Sequence, residues 1–337
     1  MHYLADYGLF LAKTLTTVAA LLVITAGLLA LIFKNKSPAS VRITIKKINE
    51  KYEAMEKMLQ EEILPKKAFK AFLKEKRQNE KTAQKLQQLK KRLYVINFNG
   101  DIRASAVEEL REEVTAILNV ANPQDEVVVC LESGGGVVHG YGLGASQLQR
   151  FKARQIPLTI IIDKIAASGG YLMACIGDKI LAAPFAIIGS IGVVAQIPNF
   201  HRWLQKHDID FEQITAGKYK RTLTLLGENT DKAREKMKED IEEIHHYFKA
   251  FITENRPQLD IDAVATGEHW LASKALALKL IDGLTTSDEY LFSRYKTVDI
   301  VEISAARKKS FLEKFSPFMA EKYAWFARLK NTGIFMK

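Results

Sequence analysis

Ser168, in Asp163-Lys-Ile-Ala-Ala-Ser-Gly-Gly-Tyr171, and Lys220, in Thr215-Ala-Gly-Lys-Tyr-Lys-Arg221, are the residue types of a serine nucleophile and a lysine base. A serine hydroxyl is a weak nucleophile until a neighbouring base takes its proton. A lysine serves as that base where burial favours its neutral form. Acyl transfer also needs N–H donors for the developing oxyanion. Ser133-Gly134-Gly135-Gly136 offers them, because glycines after a strand let backbone N–H groups reach a cleft unobstructed. The N–H groups of Gly135 and of Gly169, next to the serine, are the candidate donors. Ser190, in Ile188-Gly-Ser-Ile-Gly192, lies in an apolar run where a hydroxyl needs a partner. The lysine amine is the partner we expect.

Each reading has a plainer rival. Ser168 reads equally as a helix N-cap, the glycine run as a turn, and Ser190 as a hydroxyl bonded to nearby backbone. Spacing does not choose between Lys218 and Lys220, which alternation on a short strand sets on similar faces. Either lysine also fits a solvated surface. Histidine is the weaker choice of base. Only His139 adjoins a glycine loop, and His245-His246 falls in a heavily charged helix and is expected at the solvated surface. No His/Asp/Glu cluster has ligand spacing, so neither a metal nor a cofactor is expected.

These residues need a frame. Leu158–Asp163 is an apolar run that reads as a buried strand, and Gly169 onward reads as a helix, so Ser168 sits at a strand-to-helix corner. Further strand-like runs are Leu93–Phe98, Val127–Leu131, Ile180–Pro184 and Phe211–Thr215. Helical patterns cover Ala104–Val120, Val138–Phe151, Gly169–Ile176, Lys232–Glu254 and Ala272–Leu280. Alternating strands and helices predict an α/β domain with a largely parallel sheet over residues 93–290. The apolar run Ile180–Pro198 is nearly long enough to cross a membrane. Its Pro184, Gly189 and Gly192 instead make it core strands and a site loop.

Outside that domain the chain changes character. Thr14–Phe33 is an uncharged apolar stretch of 20 residues, long enough to span a bilayer, so residues 1–33 read as a retained membrane anchor rather than a cleaved signal. Residues 34–92 carry 18 Lys/Arg against 7 Asp/Glu, a net of +11, while the rest of the chain carries 31 against 32. This segment reads as charged helices, Lys51–Leu64 and Lys66–Leu93, broken at Pro65, a spacer suited to anionic lipid. The near-neutral remainder argues against a nucleic-acid partner. Residues 291–337 end in an aromatic and basic tail fitted to a membrane surface or a neighbouring subunit. Cys130 and Cys175 lie in apolar runs and read as buried thiols.

In order and spacing, Ser133-Gly-Gly-Gly136, Ala166-Ala-Ser-Gly-Gly-Tyr171, Gly189-Ser-Ile-Gly-Val193 and Gly217-Lys-Tyr-Lys220 resemble the signal peptide peptidase A family of serine peptidases. Gly267-Glu-His-Trp270 and Ala275-Leu-Ala-Leu-Lys-Leu-Ile-Asp282 are similar to its closing motif. The single catalytic domain, anchor and basic extension resemble the SohB-like branch. The resemblance implies a ClpP/crotonase-like fold of repeated β-β-α units and a Ser168/Lys220 dyad. It also implies Ser190 as the residue that orients Lys220, and Gly135 as an oxyanion donor. One departure is Gly134, where the family carries proline, which leaves the empty loop freer.

The expected activity is that of a membrane-anchored serine endopeptidase. It acts without ATP on short or unfolded apolar peptides such as signal-peptide remnants, and it assembles as a ring or bowl of identical chains. A catalytically silent membrane scaffold and a crotonase-like acyl-CoA enzyme are the alternatives. Topology divides the arguments. The +11 segment after the anchor favours a cytoplasmic catalytic domain. The resemblance implies the periplasmic face of a bacterial inner membrane, which we take as the expectation.

Overall fold

The computed structural model describes residues 2–34, 42–85 and 91–306. Residues Ile43–Ala305 form one compact unit. The first helix, α1 (His2–Lys34), belongs to a second unit, and its stretch Tyr7–Thr25 is long and apolar enough to cross a membrane.

The compact unit begins with β1 (Arg42–Lys47) and two charged helices, α2 (Ile48–Ile63) and α3 (Lys66–Lys85). Then follow β2 (Arg92–Gly100), α4 (Val107–Leu118), β3 (Glu126–Ser133), α5 (Val138–Lys152), β4 (Leu158–Ile162), β5 (Ile165–Ala167) and α6 (Gly169–Ala174). The second half holds β6 (Lys179–Ala182), β7 (Ile187–Gly189), α7 (His201–Gln205), α8 (Asp231–Asn255), α9 (Ile261–Val264) and β8 (His269–Leu271). It closes with α10 (Ala272–Ala277), β9 (Gly283–Leu284), α11 (Ser287–Phe292) and β10 (Asp299–Ala306).

The main layer runs β1-β10-β2-β3-β4-β6-β9. From β10 to β9 its strands are parallel, with Val129 opposite Ile160 and Ile160 opposite Ile180. Such strands are apolar along their length because helices cover both faces. Val127, Val128, Val129, Ile160, Ile161 and Ile162 are all fully buried. A smaller layer branches from the end of β3. β5 pairs in parallel with Ser133 of β3 and with β7, and β7 pairs antiparallel with β8. The succession β4-β5-α6 is the β-β-α unit of the ClpP/crotonase-like fold, and β6-β7 repeats its strand pair.

The compact unit is wider than residues 93–290. Asn49, in the basic extension, donates to the carbonyls of Tyr295 and Val298 and accepts the Ile300 N–H at 2.7 Å. Ile48 is buried against Leu93, Val95 and Ile300. The extension is thus pinned to the sheet by its first turn. β10, inside the expected tail, is a core strand because Ile300 and Ile303, three residues apart, point to opposite faces of the sheet and are buried in the core on each side. The rest of that tail, residues 307–337, lies outside the described residues. Phe211–Thr215 is not a strand. It is exposed and irregular, with no strand beside it to satisfy its backbone. Ile180–Pro198 forms β6, β7 and a loop, as expected. Cys175 is buried and Cys130 half-buried, both as free thiols, and burial pushes each up to about 12.

Candidate active site

Three parallel strands end side by side; two deliver a serine to the same cleft and the third a glycine loop. β3 ends in Ser133 and runs into Gly134–Gly136, β5 into Ser168, and β7 into Ser190. Registers Ser133↔Ala166 and Ala167↔Gly189 set these ends level. The carboxyl ends of parallel strands are where ligands bind in such sheets. The cleft, of about 540 Å³, is lined by Gly134, Gly135, Gly136, Ser168 and Ser190 on the strand side. Val193 and Val194, Ile241, Glu242 and His245 of α8, and the Ala265–Gly267 turn complete it.

Ser168 is held in a strained conformation, φ 52° and ψ −120°. Positive φ costs a side-chain-bearing residue energy, so it persists only where its surroundings dictate it. Here they do. The Ser168 N–H donates to the Gly189 carbonyl at 2.8 Å, and its carbonyl accepts the Leu172 N–H at 3.0 Å. Its hydroxyl caps no helix N–H, so the N-cap reading fails on geometry. The two glycines that follow are sterically required. A Cβ on Gly169 would lie 2.5 Å from Tyr141 Cγ, and one on Gly170 2.5 Å from the Ser133 carbonyl oxygen. Ser190 is likewise at positive φ, 51°, its N–H bonded to the Glu268 carbonyl at 2.6 Å.

The glycine loop touches the serine directly. Gly135 has φ +86°, and a Cβ there would lie 2.7 Å from the Gly169 nitrogen and 2.8 Å from Ser168 Cβ. The Gly169 N–H opens α6 and has no acceptor within the helix. The Gly135 N–H, by contrast, does not stand free as its sequence position suggested. It donates at 3.0 Å to Ser133 Oγ, which also bonds the Tyr141 hydroxyl and the Gly100 carbonyl. Ser133 is buried, and a buried hydroxyl recruits the nearest groups able to bond it. The Gly136 N–H beside it has no partner among the described residues.

Lys220 is not brought to this cleft. It lies exposed on the irregular segment before α8 and is absent from the cleft lining. Nor is Lys218 there. Its ammonium sits 5.0 Å from the Tyr219 ring, on a separate depression of about 440 Å³. The segment around both lysines, Phe211–Thr215 included, holds no strand, so no sheet register fixes them beside the strand ends. His139 is exposed and also outside the cleft. Sequence reasoning missed His245. Ile241, Ile244 and Phe248 mark the half-buried stripe of α8, and His245 falls on it at i+4 from Ile241. That period was legible beneath the charges.

A strained serine at a strand-to-helix corner, with a glycine loop against it and a cleft in front, is an arrangement able to carry acyl transfer. The chain belongs to peptidase family S49. Residues 2–148 match the family's N-terminal region and residues 150–300 its peptidase region. It is 45% identical over 324 residues to the probable protease SohB of Haemophilus influenzae, covering 93% of this chain and 92% of that one. Identity is also 45% to the probable protease SohB of Buchnera aphidicola from Acyrthosiphon pisum, over 94% of each chain. Among solved structures, a variant of the 1510-N membrane-bound stomatin-specific protease in complex with a substrate peptide aligns at TM-score 0.42 and 15% identity. That alignment covers 69% of this chain and 99% of the other, and it transfers no residue role. The protein is a peptidase, and peptides are its substrates.

Proposed function

We propose that the chain is a single-pass membrane-anchored serine endopeptidase that uses Ser168 as nucleophile and Lys220 as general base. The convergence of three strand ends on Ser168 carries this reading. Lys220 takes the Ser168 proton, and Ser168 attacks the peptide carbonyl. The Gly169 N–H, with that of Gly135 once its peptide turns from Ser133 to the cleft, stabilises the oxyanion. Lys220 then protonates the leaving amine, and water hydrolyses the acyl-enzyme. Ser190 lines the same cleft and is suited to orient the incoming ammonium. Val193, Val194, Ile241 and Ala265 favour short or unfolded apolar segments, such as signal-peptide remnants.

A lysine becomes a base on desolvation, and the isolated chain leaves Lys220 exposed. We take the dyad to form when the segment carrying Lys220 docks, in an assembly of identical chains. Phe200, Trp203 and Ile214 on that segment are exposed apolar side chains that support such packing. The apolar α1 stretch and the exposed Lys66, Lys70, Lys74 and Arg77 of α3 support a site at an anionic bilayer. The periplasmic face of a bacterial inner membrane rests on the family resemblance alone, and the basic segment argues the other way. The silent-scaffold reading is favoured by one observation, the absence of Lys220 from the cleft lining. Labelling with a serine-reactive fluorophosphonate separates the two. The dyad requires labelling of the parent protein and its loss in both Ser168→Ala and Lys220→Ala. Labelling indifferent to both substitutions removes the dyad.

A further inference from the structure

Tyr141 stands in the first turn of α5, just past the glycine loop, and is fully buried. It touches both of the loops that meet at Ser168. Its ring lies against one of them. A Cβ on Gly169 would fall 2.5 Å from Tyr141 Cγ and 2.8 Å from its Cδ2. Its hydroxyl reaches the other through Ser133. The Gly135 N–H donates to Ser133 Oγ at 3.0 Å, and Ser133 Oγ bonds the Tyr141 hydroxyl. That hydroxyl donates in turn to the Asp101 carbonyl at 2.7 Å. A phenol has one proton, so with that proton on Asp101 its oxygen accepts the Ser133 hydroxyl. The bonds thus run one way, from Gly135 through Ser133 and Tyr141 to Asp101 at the end of β2. Gly100 leaves room for them, since a Cβ there would lie 2.5 Å from the Tyr141 hydroxyl oxygen.

Gly135 and Gly169 carry the two proposed oxyanion donors, and they follow different strands, β3 and β5. Such donors help only where they already stand within about 2.7–3.1 Å of the charge that is to develop. Loops that merely abut drift beyond that tolerance. A single buried ring bearing on both removes the drift, and a buried hydroxyl network with every member bonded is stiff. When the Gly135 N–H leaves Ser133 for the oxyanion, Ser133 keeps its bond to Tyr141, so the base of the loop stays in place. We propose that Tyr141 is a positioning residue that sets the spacing of the Gly135 and Gly169 donors. The inference rests on the reading of Ser168 as the nucleophile with those two donors.

The test compares the full-length parent protein with Tyr141→Phe, Ser133→Ala and the double variant. Phenylalanine keeps the ring against Gly169 and removes only the link toward Gly135. The readouts are kcat and KM on an unfolded apolar peptide, and the affinity of a peptide aldehyde of the same sequence. Ser168 Oγ adds to the aldehyde carbon as the serine proton passes to the base, which leaves the aldehyde oxygen where the oxyanion forms. In Tyr141→Phe the expected result is a fall in kcat of about tenfold with KM within about twofold, and about tenfold weaker aldehyde binding. Ser133→Ala is expected to lose at least as much, and the double variant no more than Ser133→Ala, because both changes cut one link. An unchanged kcat in Tyr141→Phe overturns the inference. So does a raised kcat, which would make the Ser133 bond a latch on the hole. A loss carried by KM with aldehyde affinity unchanged overturns it too, since the ring would then only hold the cleft together. If Tyr141→Phe does not fold, Ser133→Ala decides by the same readouts. Hydrolysis that survives Ser168→Ala overturns the underlying reading of Ser168 instead.

Discussion

The Ser168 corner and the segment carrying Lys220 are built by opposite rules. At the corner every degree of freedom is taken. The serine's N–H and carbonyl are both bonded, Tyr141 lies under Gly169, and the Ser133 carbonyl lies under Gly170. Residues 193–227 hold a single five-residue helix, and the segment's two ends are tied by bonds from Asn199 to the carbonyls of Thr224 and Gly227. Phe200, Trp203 and Ile214 stay in solvent. On the proposed mechanism, the contrast separates two needs of one reaction. A strained nucleophile demands an over-determined frame, which one chain provides at its strand ends. A lysine base demands desolvation, which can be supplied later, when a surface closes.

The largest effects test that division directly. Ser168→Ala should abolish fluorophosphonate labelling and lower peptide hydrolysis by about 10⁴-fold or more. Lys220→Ala should lower hydrolysis comparably while leaving the unfolding midpoint in place, because its side chain is exposed. Lys218→Ala should retain most activity. Hydrolysis that survives Lys220→Ala breaks the comparison, because the exposed segment is then no part of the reaction.

Next in size is the frame itself. The Arg256 guanidinium is buried, and it is paired to Asp282, which also accepts the Ile180 N–H at 2.7 Å. Tyr171, on the helix that follows Ser168, donates to the Leu280 carbonyl at 2.9 Å in the same motif. Asp282→Ala leaves a buried cation unpaired and should cost about 3–5 kcal/mol in denaturant unfolding. A cost well under 1 kcal/mol would mean the corner is not rigidly held, and the contrast with the exposed segment would weaken.

A smaller effect comes from pH. Glu113 on α4 is buried and accepts the Ala305 N–H at 2.8 Å, tying down the end of β10. Burial first, then the neighbouring Glu109, pushes its carboxyl from 4.5 up to about 7. The folded protein therefore holds this proton more tightly than the unfolded chain. Its contribution is full below about pH 4.5 and is lost as pH rises through about 7, a loss of at most about 3 kcal/mol. Glu113→Gln should flatten that dependence, measured by chemical unfolding at pH 5 and pH 8. An equal slope in parent and variant assigns the pH dependence elsewhere.

What the sequence revealed follows the same line between frame and segment. β3, β4 and β6 were legible as apolar runs because parallel strands are buried on both faces. Ser168 was legible as a corner, because a strand and a helix meet there. The three-residue strands β5 and β7, which aim Ser168 and Ser190, are too short to carry a period and are defined only by their pairing. Phe211–Thr215 has strand composition but no neighbour. β10 was hidden because its partner β2 lies some 200 residues earlier. His245 was obscured by the charges around it, although the Ile241–Phe248 stripe already fixed its face.

The smallest expected effect bears most directly on where the base comes from. Ile214 is 95% exposed, so Ile214→Ser should change the unfolding free energy of the isolated chain by less than about 0.5 kcal/mol. A larger loss at high dilution would make the segment part of the folded core, and the two regions would no longer differ. Activity is the sharper readout, because Ile214 and Lys220 share the segment. If the segment docks on a second copy, weakening its apolar contact lowers activity most at low protein concentration, and raising the concentration restores it by mass action. If the segment folds back onto its own cleft, the same loss is independent of concentration. The concentration series of one surface substitution thus distinguishes a proposed base supplied by a neighbour from one supplied by the same chain, without touching either Ser168 or Lys220.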